Sequence, residues 1–214
     1  MDSYPEFERR AVAARLYRHY GSSRRRFPRA KRRAGRIAMD ISPLAYAGSS
    51  LHQVAFVVRD LEAAQSFFNK AMGVPRFYVF ENFSDQVTDK RLRRRPVEQK
   101  VRLSIAYSGD TQIELIQHVS GETCYKEFLD RRGEGLHHLG FFLYGRDKYD
   151  HTLEALGRAG YEQLMSGKLG ESEYTYFDTE AAIGSIMEIV YLSPEGRSLM
   201  ERIKSGNFQP VSAA

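Results

Sequence analysis

The chain has 214 residues, 42% of them hydrophobic and 28% charged, with one cysteine and a formal net charge of +5. That length accommodates one or two domains with a sizeable core. Cys124 alone excludes an internal disulfide framework and fits a reducing compartment, and no apolar run approaches the roughly 18 residues of a membrane span, so a cytoplasmic protein with no membrane partner is expected. The charge is uneven. Residues 1–38 carry eleven arginines and one lysine against Asp2, Glu6 and Glu8, a net of +9, which leaves −4 on the other 176 residues. The basicity therefore belongs to an arm and not to the body, and no nucleic-acid module accompanies it.

Residues 1–47 combine Arg24-Arg25-Arg26, Arg29, Lys31-Arg32-Arg33 and Arg36 with few core-forming residues after Tyr20. Such a stretch buries too little surface to offset its ordering entropy and is expected to be a mostly disordered extension, with a short helix over 7–20 the exception. A domain over 48–205 follows. Residues 51–58 read as a strand, and Asp60 caps a helix with Leu61, Ala64, Phe68, Ala71 and Met72 at helical spacing until Gly73. Residues 77–80 read as a strand and 85–96 as a polar loop bearing Lys90, Arg91, Arg93, Arg94 and Arg95. Strands over 100–107 and 111–117 meet at Ser108-Gly109-Asp110.

A connector with a short helix near 125–131 leads to a second unit in the same order. Its strand over 137–143 is followed by a helix over 147–159 with Tyr149, Leu153 and Leu156 inward and Gly160 as its stop. Strands near 161–165, 174–178 and 185–191, a helix over 194–203 and a tail over 206–214 complete the chain. The pattern is an internal repeat of two βαβββ modules, 51–118 and 136–192, an α+β fold.

Four polar residues interrupt apolar strands at equivalent places in the two modules. Gln53 and His138 stand on the first strands, Glu114 and Glu188 on the last. Alternation places His138, Gly140 and Phe142 on one face and His137, Leu139 and Phe141 on the other. Two carboxylates buried without partners cost several kcal/mol each, and neither strand supplies a lysine or arginine. A divalent metal, zinc, nickel, cobalt or manganese, would satisfy this set of imidazole, carboxylate and amide oxygen.

The segments Leu51-His52-Gln53-Val54-Ala55-Phe56, Asp110-Thr111-Gln112-Ile113-Glu114-Leu115, Gly135-Leu136-His137-His138-Leu139-Gly140 and Gly184-Ser185-Ile186-Met187-Glu188-Ile189 resemble the vicinal oxygen chelate superfamily. Its members include glyoxalase I, methylmalonyl-CoA epimerase, extradiol dioxygenases and bleomycin-resistance proteins. The resemblance implies two modules joined in a cupped mixed sheet around one metal. In such proteins the first ligand precedes the helix-opening Asp by seven residues, which selects Gln53 and leaves His52 as a hydrogen-bonded structural residue facing the helix layer. The implied ligand set is Gln53, Glu114, His138 and Glu188, as in glyoxalase I and unlike the two-histidine, one-carboxylate set of the dioxygenases. The connector 124–138 and Glu98-Gln99-Lys100-Val101-Arg102 are instead similar to the epimerases, although Leu103 stands where some of those place a second carboxylate.

The implied activity is that of an isomerase, epimerase or lyase removing a proton next to a carbonyl, with Glu188 as base and Glu114 as the alternative. Its substrate would be a 2-oxo acid derivative or an acyl-CoA thioester. Lys90 to Arg95 are candidates for gripping coenzyme A phosphates, and Tyr78, Tyr107, Phe142, Tyr174 and Tyr176 for lining the cup. The competing reading is a non-catalytic protein of the same fold that sequesters a hydrophobic or aromatic compound. Homodimers are common among such proteins, and the sequence leaves the oligomeric state open.

Overall fold

A computed structural model of the chain describes residues 48 and 50–208; the basic extension over 1–47 and the end of the tail lie outside the described residues. The first module opens with β1 (Leu51–Val58), in which Gln53, Ala55 and Val57 alternate inward. Asp60 then accepts a hydrogen bond from the Ala63 amide at 2.9 Å and starts α1 (Leu61–Met72), which ends at Gly73 in the left-handed conformation. After β2 (Tyr78–Phe80), the expected polar loop forms a turn of helix, α2 (Phe83–Gln86), then β3 (Val87–Leu92) and β4 (Arg95–Pro96). The long hairpin of β5 (Gln99–Ser108) and β6 (Thr111–Gly121) closes the module.

Helix α3 (Cys124–Arg132), capped by Thr123, leads into the second module. Its elements are β7 (Gly135–Leu143), α4 (Arg146–Arg158), β8 (Gln163–Leu169), β9 (Ser172–Phe177), the short α5 (Glu180–Ile183), β10 (Ile186–Tyr191) and α6 (Pro194–Lys204).

Among the described residues all strands join one mixed sheet in the order β2-β5-β6-β1-β7-β10-β9-β8-β3-β4. Each module contributes four consecutive strands, and they meet where β1 pairs antiparallel with β7. The basic segment departs from the expected loop because β3 leaves the first module and pairs with β8 at the far edge of the second. Only Val87 and Leu92 at its ends are buried and the four residues between them are polar, so no apolar periodicity marks it.

Helix α1 covers one face of the first module through Leu61 and Phe68, which pack with Ala106, Ile113 and Leu115. Helix α4 does the same for the second through Tyr149 and Leu156 against Phe177 and Ile189. The opposite face curls into a cup. Its floor holds Val57, Leu103, Ile105, Ile116, Met165 and Ile186, packed with Tyr125 and Phe128 of α3, while Leu199 and Met200 of α6 pack from above.

Candidate metal centre

The strands β6, β1, β7 and β10 are neighbours at the middle of the sheet. Register brings Gln53 opposite Gly140, Gly140 opposite Glu188, and Ala55 opposite both Glu114 and His138. Residues two apart share a face, so Gln53, Glu114, His138 and Glu188 converge on the floor of the cup. All four are buried. The missing side chain of Gly140 makes room at the centre: a methyl group there would stand 2.8 Å from Gln53 Cβ and closer still to its Oε1.

His138 Nε2 lies 3.2 Å from Glu114 Oε2 and 3.3 Å from Glu188 Oε2. These are close contacts without hydrogen-bond alignment. Gln53 Oε1, Glu114 Oε2, His138 Nε2 and Glu188 Oε2 are all buried and lack an aligned partner. A concentration of such orphaned atoms requires an explanation. Among the described residues no group of three or more His, Cys, Asp or Glu side chains is placed so that it could hold a metal ion. The spacing nevertheless suits a shared cation. Ligands about 2.1 Å from a metal stand roughly 3.0 Å apart at right angles and 3.4 Å apart in a tetrahedron. Both observed separations fall between those edges. The imidazole, the two carboxylates and the amide oxygen are donor types that a divalent metal takes, and the two measured separations suit a shared ion.

Without a metal, the proton on His138 takes that role. Burial opposes its charge, but Glu188 and Glu114 outweigh burial and hold the imidazole up to about 9. Burial raises the Glu114 carboxyl, against the lowering influence of His138 and Gln53.

His137 is on the same side as His138, contrary to strict alternation. One step of β1, from Ala55 to Phe56, faces two steps of β7, from His138 to Leu136, so His137 is the extra residue of a β-bulge. Its Nδ1 stands 2.9 Å from Nδ1 of His138. Burial pushes His137 well below its usual range, so it is the neutral partner and accepts the proton held on His138 Nδ1. The same bond would orient a metal-bound His138 through its Nε2. Tyr176 packs its ring 4.8 Å from His138, and its hydroxyl bonds that of Tyr125 at 2.8 Å.

His52 is a second bulged residue, lying between Leu51 and Gln53 where β7 takes one step. It stacks on Phe142 at 5.0 Å, and its Nδ1 accepts the Phe142 amide at 3.2 Å. The expected hydrogen-bonded structural histidine is present, but it faces Phe142 and α6 rather than the helix layer.

Above the floor opens a cavity of about 1040 Å³. Tyr78, Phe142, Tyr174 and Tyr176 line it as expected, joined by Phe80 and Phe83, whereas Tyr107 lines a smaller neighbouring recess. Leu103 is in the wall, so the strand beside the site offers no second base there. The cations of the basic segment do not line it. Arg93 holds Glu127 at 2.7 Å, Arg91 holds Asp89 at 2.8 Å, and Lys90 donates to the Ser84 carbonyl at 3.0 Å. Arg95 lies 3.7 Å from Glu122, and Arg94 is exposed with no ion-pair partner among the described residues.

A family model described as the Glyoxalase/Bleomycin resistance protein/Dioxygenase superfamily matches residues 52–177. The chain belongs to this superfamily. Methylmalonyl-CoA epimerase from Mycobacterium tuberculosis has a similar fold, with a TM-score of 0.52 at 19% identity over 69% of this chain and 91% of that one. Hypothetical protein BH1468 from Bacillus halodurans C-125 gives 0.51 at 15% identity over 67% and 94%. Among curated proteins, the uncharacterized protein YqjC of Bacillus subtilis (strain 168) is 28% identical over 91 residues, 42% of this chain; the match spans 55% of that relative's length.

Gly140 was recoverable from the sequence as a lone glycine inside an apolar strand, the mark of a close approach. The role of His137 was not, because a bulge leaves no trace in the period-2 pattern it breaks.

Proposed function

We propose that this member of the superfamily is a metal-dependent isomerase, epimerase or lyase that removes a proton next to a carbonyl. The observation that carries the reading is the convergence of four orphaned buried donors, Gln53 Oε1, Glu114 Oε2, His138 Nε2 and Glu188 Oε2, beneath a substrate-sized cavity. Gln53, Glu114, His138 and Glu188 would hold the metal. When bound, it supplies Lewis-acid stabilisation of the negative charge that develops on the substrate oxygen.

The chain does the rest. Glu188 and Glu114 both open onto the cavity, and Glu188 takes the proton from carbon, with Glu114 as the alternative base. His137 keeps the His138 ring in one tautomer through the Nδ1 contact. Leu103, Ile105 and Val190 give the cavity apolar wall around the floor, which strengthens charge interactions there. Structural neighbours that include methylmalonyl-CoA epimerases support carbonyl chemistry of this type.

One observation favours a second reading, a binding protein with a vestigial centre. His138 between the two carboxylates already places a positive charge against them without a metal. Incubation of metal-reconstituted protein with 2-oxo acids in deuterated solvent separates the two. The enzyme reading predicts metal-dependent α-proton exchange that Glu188→Gln abolishes; exchange no faster than in buffer across the series would overturn it.

A further inference from the structure

The mouth of the cavity has a charge pattern that the floor does not require. Glu81 follows β2, Glu171 lies in the β8–β9 turn and Glu195 in the first turn of α6; all three are exposed and line the cavity. Among the described residues none of the three has an ion-pair partner, whereas Glu173 of the same rim is held by Arg146 at 2.8 Å. Among the described residues, Arg202 is the sole lysine or arginine in the lining.

The two sides of this rim are tied together. Ser172 Oγ accepts the Ser193 amide at 3.1 Å, and Ser193 Oγ caps α6 at Gly196. A side chain at Gly196 would run into Ser172 Oγ, so the β8–β9 turn and the start of α6 sit against each other with Glu171 and Glu195 on either side of the junction. Glu81 lies with Phe80 and Phe83 in the same lining. Beneath these carboxylates the walls are aromatic, with Tyr78, Phe80, Phe83 and Tyr174, which suits a cation as well as an apolar body. The orphaned, buried oxygens of Gln53, Glu114 and Glu188 at the floor mark the same cavity independently as a ligand site.

We propose that the cavity selects carbonyl compounds whose distal end is uncharged or cationic and whose body is apolar or aromatic, and that it rejects polyanionic carriers such as nucleotide-linked acyl thioesters. This rests on the cavity being the substrate site proposed above. Of the two substrate classes considered, 2-oxo acid derivatives fit and acyl-CoA thioesters do not. A carrier bearing several phosphate charges would have to pass three carboxylates that lack an ion pair among the described residues, with one arginine in the described lining to offset them. A like-charge juxtaposition of this kind excludes partners without any steric block.

The potential at the mouth is measurable without knowing the substrate. Leu199→Cys places a thiol in the lining, with Met200→Cys as a second reporter if the first does not fold; native Cys124 is buried and serves as the control. The thiol is labelled with cationic trimethylammonioethyl methanethiosulfonate and anionic sulfonatoethyl methanethiosulfonate. Each rate is divided by that with 2-mercaptoethanol. The proposal predicts a cation preference of about tenfold at low salt. That preference should fall towards unity in Glu81→Gln/Glu171→Gln/Glu195→Gln, and millimolar propionyl-CoA should not protect the thiol. An anionic reagent that reacts as fast as the cationic one, or protection by propionyl-CoA, would overturn it. Repeating the series in Glu188→Gln, with metal content measured on the same sample, keeps the tests apart. Loss of the metal without change in the charge preference bears only on the catalytic reading.

Discussion

Replacing Gly140 by alanine tests the centre with one methyl group. Gly140 lies between Gln53 on β1 and Glu188 on β10, and its backbone does not have positive φ, so alanine brings no conformational strain of its own. The added Cβ would stand 2.8 Å from Gln53 Cβ, about 1 Å inside ordinary carbon contact. The amide end of Gln53 can rotate away, but its Cβ moves only if β1 and β7 separate. Overpacking of this kind costs about 1–3 kcal/mol, which for a domain of this size lowers Tm by roughly 2–12 °C. Displacing the Gln53 oxygen should also weaken metal binding by at least about tenfold, the loss typical of a disturbed supporting group. Gly157→Ala is the control, since nothing lies within 4 Å of a Cβ there and the site is in helix α4. Thermal unfolding and competition with a chelator read both effects. A Gly140→Ala protein with wild-type Tm and wild-type metal affinity would refute the placement of Gln53 at the centre.

The Gly157→Ala control should itself raise stability by up to about 0.5–1 kcal/mol in urea unfolding, because it removes a glycine from the last turn of α4 without a clash. In the metal-free protein, His138 has its folded value raised from 6.5 to about 9 by Glu188 and Glu114 against the opposing effect of burial. Its contribution is complete below about pH 6.5 and lost as pH rises through 9, on the order of 3 kcal/mol. His137 acts in the other direction. Burial depresses it, so the unfolded state takes up a proton first as pH falls below 6.5 and stability declines there. Urea midpoints in EDTA should therefore fall between pH 6.5 and 9, and a profile that rises steadily to pH 9 would contradict the charged His138. His52→Ala removes the acceptor of the Phe142 amide and a stacked ring; it should cost about 1–3 kcal/mol in urea unfolding while leaving metal content unchanged.

The parts of this fold written in local chemistry were legible. Asp60 and Gly73 bracket α1 as read, and Gly160, with φ of 88°, follows α4 closely. The four polar residues of the floor were visible because a carboxylate or amide in a run such as Ile186-Met187-Glu188-Ile189 is costly unless it has a partner. What escaped were features set by pairing between distant strands. The bulge that turns His137 inward exists only in the β1–β7 register, and β3 is a strand only because β8 offers it an edge. The acidic rim escaped for a related reason. Glu81, Glu171 and Glu195 are 114 residues apart at their extremes and look like ordinary surface carboxylates until the sheet curls.

Elemental analysis of the purified protein after reconstitution and removal of excess metal, wild type beside Glu188→Ala and His138→Ala, tests the central claim most directly. The account predicts about one first-row divalent metal per chain in the wild type and loss of it in both variants, as expected when one of a few ligands is removed. A wild type that retains no metal at pH 8, or variants that retain as much as the wild type, would contradict it.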